Sequence, residues 1–361
     1  MDRRPDKEND NFSRRAEDHG RNKRSLHETA LESLTHPFYI INADDYTVLL
    51  DTASPGLTPS ANSPKCYALS HGRNSPCSQA GESCPLEIVK ETKKSVVVEH
   101  VHLDRSGQAK HFEIHGYPVF DENEAVTSIV EYWLDITERK LAQERQNFAT
   151  RLLELLNKSS DKIDTIRAIL RLIKEFTGFE AVGLRLREGD DFPYYETIGF
   201  PSLFVEAERH LCASDEHGRP LRDAVGNPVL ECMCGTVISG NTDSSQPFFT
   251  EFGSFWTNST SDLLESTTEN DRQGRTRNLC NREGFESVAL VPLRMDSECI
   301  GLLQLNDRRR DRFTPDLIHF FEEVGASVSI ALARTRAEEA LKKARDELEV
   351  GVAERTIDLL K

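Results

Sequence analysis

The sequence predicts an α+β chain in which two antiparallel-sheet domains are joined, and then followed, by coiled-coil helices. Three observations carry this. Strand-like runs of β-branched and aromatic residues gather in two stretches, 38–134 and 181–305, with amphipathic helical sequence between them. The first stretch ends abruptly at 131–140, EYWLDITERK, where a run containing Val126, Ile129, Tyr132 and Leu134 gives way to a charged helix with Leu141, Phe148 and Leu155 seven residues apart. The chain's 361 residues also suffice for two proper cores, at roughly 150 residues each.

Residues 1–24 mix both signs of charge with almost no apolar side chains, which predicts a disordered polar tail. Leucines at 26, 31 and 34 suggest a short helix that Pro37 ends. Runs at 38–42 and 47–51 flank the acidic turn 43–46 as a hairpin. A Ser-, Pro- and Gly-rich stretch without periodicity follows and contains Cys66, His71, Cys77 and Cys84. A helix is expected at 84–92, with Pro85 where its missing N–H costs least. Strands are expected at 95–103, 110–119 and 125–134, separated by turns at 105–107 and 121–123. Asp135 and Thr137 stand where the following helix needs a cap, which makes them candidate signal-coupling residues.

Two strands, an irregular middle, one helix and three strands, closing on GYPVFDENEAVTSIVEYWLDITERK, resemble a PAS domain with its terminal DIT signature. The resemblance implies a five-stranded sheet whose middle segment covers a ligand pocket. Related PAS domains carry a similar CY…HGR…PC…CP run.

Residues 141–177 read as amphipathic helix, with Leu152, Leu155, Ile166, Ile169, Leu170 and Ile173 on compatible spacing and Gly178 as the stop. Strands are expected at 181–187, 194–199, 287–293 and 299–305, and residues 201–283 read as irregular. A helix then starts near Thr314 as cap and Pro315 at its first turn. GFEAVGLRLR and SVALVPLRMDSECIGLLQLNDRRRDRFTPDLIHFFEEVGASVSIALAR resemble a GAF domain. The expected division is a tail at 1–24, a PAS-like domain at 25–137, a helical linker at 138–158, a GAF-like domain at 159–334 and a coiled-coil helix at 335–361. In that last helix Ala337, Leu341, Ala344 and Leu348 form the seam. VAERTIDLL is similar to the linker before a histidine-kinase transmitter. No histidine follows His319 and no glycine-rich ATP lid is present, so the chain resembles only the N-terminal sensor region of such a kinase.

A net charge of −16 argues against nucleic-acid or anionic-membrane surfaces. No apolar run is long enough to span a bilayer, which makes a cytoplasmic protein with mostly reduced thiols the expectation.

The sharpest constellation is Cys66-x4-His71-x5-Cys77-x6-Cys84. Packing thiols, redox-active thiols, and a metal or iron–sulfur cluster are the alternatives it leaves open. His100 and His102 share one strand face, as do His111 and His115; exposed sheet-face residues are the expectation, with a pH switch or a haem ligand as the alternatives. In the second half Cys232, Cys234, Cys280, Phe255 and Trp256 are the candidate pocket residues, with Arg275 and Arg277 available to an anionic group. Some GAF domains hold haem through Cys or His, and free methionine sulfoxide reductases are single GAF domains that use cysteines. The reading is therefore a cytoplasmic, homodimeric sensor of a small ligand or redox signal, relaying to a separate kinase or other output protein. A GAF-type thiol oxidoreductase and a ligand-free dimerisation scaffold are the alternatives.

Overall fold

Two five-stranded antiparallel sheets, each with its own helices, organise the chain. The computed structural model describes residues 38–52, 64–103, 109–158, 162–217, 219–296 and 298–359. The expected tail, the helix at 25–35 and the turn at 105–107 lie outside these. The chain divides into two units, Met1–Arg145 and Gln146–Lys361.

The first unit contains β1 (Phe38–Asn42), β2 (Val48–Asp51), α1 (Cys66–His71), a 3-10 turn (Cys77–Ala80), α2 (Pro85–Thr92), β3 (Val96–Leu103), β4 (Ala109–Phe120) and β5 (Val126–Asp135). Its sheet runs β2-β1-β5-β4-β3. Pro85 occupies the start of α2 as expected, and Lys93 in the left-handed region ends it. The helix turns Leu86 and Val89 into a small core with Tyr39, Ile41, Val48 and Ile129. The covered face of β3 carries His100 and His102, 4% and 8% exposed, beside half-buried Val96 and Val98, whereas Val97 and Val101 on the open face are 54% and 51% exposed. The expectation of exposed histidines is corrected here. Period 2 does group them on one face, but that face is the covered one.

α3 (Thr137–Asn157) follows β5 directly. The expected continuous helix over 141–177 is two helices, α3 and α4 (Lys162–Thr177). The rest of the second unit is β6 (Ala181–Leu186), β7 (Tyr194–Ile198), α5 (Ser202–Ala207), α6 (Cys232–Ser239), β8 (Phe255–Thr257), α7 (Thr260–Ser266), α8 (Leu279–Arg282), β9 (Ser287–Met295), β10 (Glu298–Asp307) and α9 (Pro315–Leu359). The sheet order is β7-β6-β10-β9-β8. β6 is buried at every position because both faces of this sheet are covered. One face packs on Phe148 and Leu152 of α3, on α4 and on the first half of α9. The other packs on α6, Phe248 and Phe249. Gly301 permits the close β10–β6 pairing, since a Cβ there would lie 2.4 Å from the Arg185 carbonyl oxygen. Residues 201–283 are less irregular than expected, since α5 to α8 and β8 all fall within them.

α9 is 45 residues long, with the Thr314 hydroxyl accepting from the Leu317 amide at its start. Ile318, Phe321, Val324, Val328 and Leu332 are core, while Leu341 and Leu348 are 73% and 70% exposed. No helix among the described residues is long and apolar enough to cross a membrane.

Candidate functional site

The covered face of β3 is one candidate site. α1 ends at His71, Gly72 turns the chain in the left-handed region, and Pro76 starts the 3-10 turn at Cys77. This brings ligand atoms of His71, Cys77, Glu82 and His100 within 4.8 Å of one another. Two of the four ligands expected from sequence, His71 and Cys77, are in this group. Glu82 and His100 complete it in place of Cys66 and Cys84. Glu82 carried no periodic signal in its Gly/Ser loop, and His100 was expected in solvent.

Arg73 donates to Glu82 Oε1 at 3.0 Å, while Oε2 lies 3.8 Å from His71 Nδ1. Arg73 therefore holds the Glu82 carboxyl below the usual carboxylate range. The His71, His100 and His102 rings cluster, with His71 and His102 centroids 4.3 Å apart. Burial pushes His102 down to about 4. Burial raises the Cys66 thiol to about 12, while the hydrogen bond that Cys77 gives to Cys84 raises Cys77 and lowers Cys84. With one thiol in the converging group, this donor set does not fit an iron–sulfur cluster, which is held by several thiolates.

At the end of β5 the Asp135 carboxylate accepts from the Thr137 amide at 2.9 Å, and the Thr137 hydroxyl accepts from the His111 amide at 2.9 Å. Lys140–Glu99 at 2.6 Å and Arg139–Glu113 at 2.8 Å fasten the first turns of α3 to β3 and β4. Hydrogen bonding by Thr137 keeps Asp135 below its ordinary pKa.

In the second unit the expected cysteines do meet. Cys232, Cys234, Cys280 and Phe255 line one cleft with Arg272, Thr276 and Leu290. Trp256 does not line it and packs instead against the core on the opposite face of the sheet. Arg275 contributes its backbone, accepting from the Cys232 amide at 2.9 Å, and Arg277 pairs with Glu231 at 2.9 Å. Two organising residues, Arg185 and Gln304, carry no motif or spacing signal in the sequence. Fully buried Arg185 lies 3.6 Å from the centroid of the Tyr194 ring and donates to the Glu208 carbonyl at 2.7 Å. Gln304 accepts from the Tyr194 hydroxyl at 2.7 Å and reaches Cys280 Sγ at 3.7 Å. Cys232 begins α6 with φ at +67°, a strained conformation outside glycine. A hydrogen bond from Cys234 and backbone N–H groups at the start of α6 hold the Cys232 thiol below its ordinary range. The same hydrogen bond and burial raise Cys234, and burial raises Cys280.

The cleft's volume is about 50 Å³ and no histidine lines it. That is room for one or two waters, against roughly 300–1,000 Å³ for ligand pockets, so a haem does not fit this cleft.

Two sheet domains with cysteine-bearing interiors, each continuing into a helix, are the architecture of this chain. The family models agree: residues 65–141 match the PAS fold and residues 161–332 match the GAF domain. The chain therefore carries a PAS domain followed by a GAF domain, and this pairing supports a signalling role. Among solved structures, the GAF domain of a phosphoenolpyruvate-protein phosphotransferase from Coxiella burnetii is 12% identical with a TM-score of 0.40, covering 55% of this chain and 98% of that one. Free methionine-R-sulfoxide reductase from Neisseria meningitidis, in complex with its substrate, is 14% identical with a TM-score of 0.37, covering 55% and 93%. A domain of a putative two-component sensor histidine kinase from Sinorhizobium meliloti 1021 is 14% identical with a TM-score of 0.34, covering 51% and 99%. No curated protein matches the chain.

Proposed function

We propose that the chain is a cytoplasmic sensor whose PAS and GAF interiors receive a small ligand or redox signal and whose helices relay it, across a homodimer, to a separate kinase or other output protein. The observation that carries the reading is the division of α9. Its first half is core of the GAF domain, whereas Leu341 and Leu348, seven residues apart, are exposed, with no apolar neighbour covering them among the described residues. Leucines at that spacing are the seam of a parallel coiled coil, and a helix rooted in a sensor core is a natural carrier of a shift or rotation. The second copy of this chain is the occupant the reading requires. Light scattering on the full chain tests it: the wild type runs as a dimer and Leu341→Glu/Leu348→Glu as a folded monomer. A wild-type monomer at micromolar concentration would end the relay reading. At the β5–α3 junction, reversing Asp135 to Lys uncouples input from output while leaving interior ligand uptake intact.

A second reading, thiol oxidoreductase, is favoured by the lowered Cys232 thiol beside Cys234. In it the Cys232 thiolate takes the oxygen of a sulfoxide, releasing the thioether and leaving a sulfenic acid. The Cys234 thiol then displaces water to form a disulfide, which an external dithiol reduces. Release of free methionine from methionine sulfoxide with dithiothreitol is its test, and no turnover rejects it.

A further inference from the structure

We infer that the PAS domain holds one divalent first-row cation, zinc by preference, on His71, Cys77, Glu82 and His100. The four donors come from four places, the end of α1, the 3-10 turn, the loop after it and β3, yet their ligand atoms lie within 4.8 Å of one another. Around a tetrahedral ion with bonds of 2.0–2.3 Å, ligand atoms sit roughly 3.3–3.8 Å apart. The group therefore closes on an ion by contracting about 1 Å at its widest, well within side-chain rotation.

The hydrogen bonds around the group aim its lone pairs inward. His100 Nε2 lies 2.7 Å from the Ser83 carbonyl, which only accepts, so Nε2 carries the proton and the neutral ring presents Nδ1 as a lone pair. That Nδ1 is buried and without a hydrogen-bond partner among the described residues. Glu82 repeats the pattern, since Oε1 is taken by Arg73 while Oε2 is buried with no hydrogen bond. Two unmatched acceptors in one buried place cost roughly 1–3 kcal/mol each, and a cation ligated by both satisfies them together with the thiol and the second imidazole. The backbone carbonyl that fixes the His100 tautomer and the Arg73 guanidinium that fixes the carboxylate are supports of the kind metal ligands have. His102, with its own buried Nε2 unpartnered, lies against His71 as a neighbouring donor.

Charge and softness select the ion. One thiolate and one carboxylate neutralise a divalent cation, so no net charge is buried. Two imidazoles, a thiolate and a carboxylate are a borderline set, suited to zinc rather than to calcium or magnesium. The ion also supplies something the fold lacks, because α1 has no buried residue of its own. Coordination ties α1 and the following loop to β3, and the free energy of binding becomes stability of that segment. The site stands whether or not the domain signals.

The full chain, reduced and stripped with a chelator, is titrated with Co²⁺ alone and then with Zn²⁺. One equivalent of Co²⁺ is expected, with the near-ultraviolet charge-transfer band of a thiolate ligand and the visible bands of a tetrahedral complex, both erased by Zn²⁺. Cys77→Ser abolishes the thiolate band, and Glu82→Gln and His100→Gln weaken binding. Arg73→Ala, which frees the carboxylate, weakens it about 10- to 100-fold. Cys66→Ser keeps the full spectrum. Circular dichroism checks each variant, and His100→Gln carries the test if Cys77→Ser does not fold. No Co²⁺ uptake, or a thiolate band that survives Cys77→Ser or is lost with Cys66→Ser alone, overturns the assignment.

Discussion

Replacing Thr137 by Val tests whether the β5–α3 junction is held by a specific hydrogen bond rather than by chain continuity. Valine keeps the shape of threonine and removes only the hydroxyl. In the native chain that hydroxyl accepts from the His111 amide at 2.9 Å and also hydrogen-bonds the Asp135 carboxylate. The His111 bond is half-buried, and a neutral bond of this kind is worth about 1 kcal/mol net. The bond to Asp135 joins a carboxylate half exposed to water, so it adds less than its full charged value. The Asp135–Thr137 amide bond and the Lys140–Glu99 pair survive the substitution. The expected local loss is therefore about 1–2 kcal/mol, which corresponds to roughly 5- to 30-fold faster amide exchange. Hydrogen-exchange mass spectrometry of the full chain reads it in peptides covering 109–120 and 131–145, with peptides from the GAF domain as internal reference. Thr137→Ser restores the hydroxyl and with it most of the protection. Unchanged exchange in Thr137→Val, or a serine variant no better than valine, would refute the reasoning.

Other outcomes follow from single contacts. Gly301→Ala places a Cβ 2.4 Å from the Arg185 carbonyl, so the β10–β6 pair must separate at a cost of about 1–3 kcal/mol; an unshifted urea midpoint for the GAF domain would contradict this. Burial pushes Glu131 up to about 8 from an ordinary 4.5, so between those values the folded state binds the extra proton and stability falls as pH rises. Glu131→Gln removes that slope, and urea titrations at several pH values across the window decide whether it does. At pH 7 iodoacetamide modifies Cys232 ahead of Cys234 and Cys280, because only Cys232 is shifted toward its thiolate; equal labelling by peptide mass spectrometry would rule out an activated thiol.

What was legible in the sequence is what depends on local chemistry. The Pro85 helix start, the Asp135–Thr137 changeover and the strand runs of β4, β5, β9 and β10 each announce themselves within a few residues, and the structure has them within a residue or two. α6 and β8 were missed for opposite reasons. α6 is apolar on nearly every side, buried from Met233 to Ile238, so it has no amphipathic period to read. β8 is three residues long, too short to alternate. A clue to α6 was present in Gly240, which ends it in the left-handed region.

The histidines of β3 teach a sharper lesson. Alternation states which residues share a face and leaves open which face is covered. Judged by hydrophobicity, Val97 and Val101 belong inside and His100 and His102 outside, and the fold does the reverse. The cover is supplied by α1 and the Cys77 turn, a stretch whose Gly, Ser and Pro residues follow turn geometry and carry no periodicity. The covered face carries half-buried Val96 and Val98 beside the two imidazoles, and the open face carries Glu99 beside Val97 and Val101, so each face holds two valines and the covered one takes the histidines. The Ser83 carbonyl accounts for one nitrogen of His100. Nδ1 of that ring, beside a thiol and a carboxylate, and Nε2 of His102 remain buried without a hydrogen-bond partner among the described residues. The burial of His100 on that face is what lets it converge with His71, Cys77 and Glu82. A cation on His71, Cys77, Glu82 and His100, as inferred above, would give the two buried histidines of β3 a reason to face the covered side.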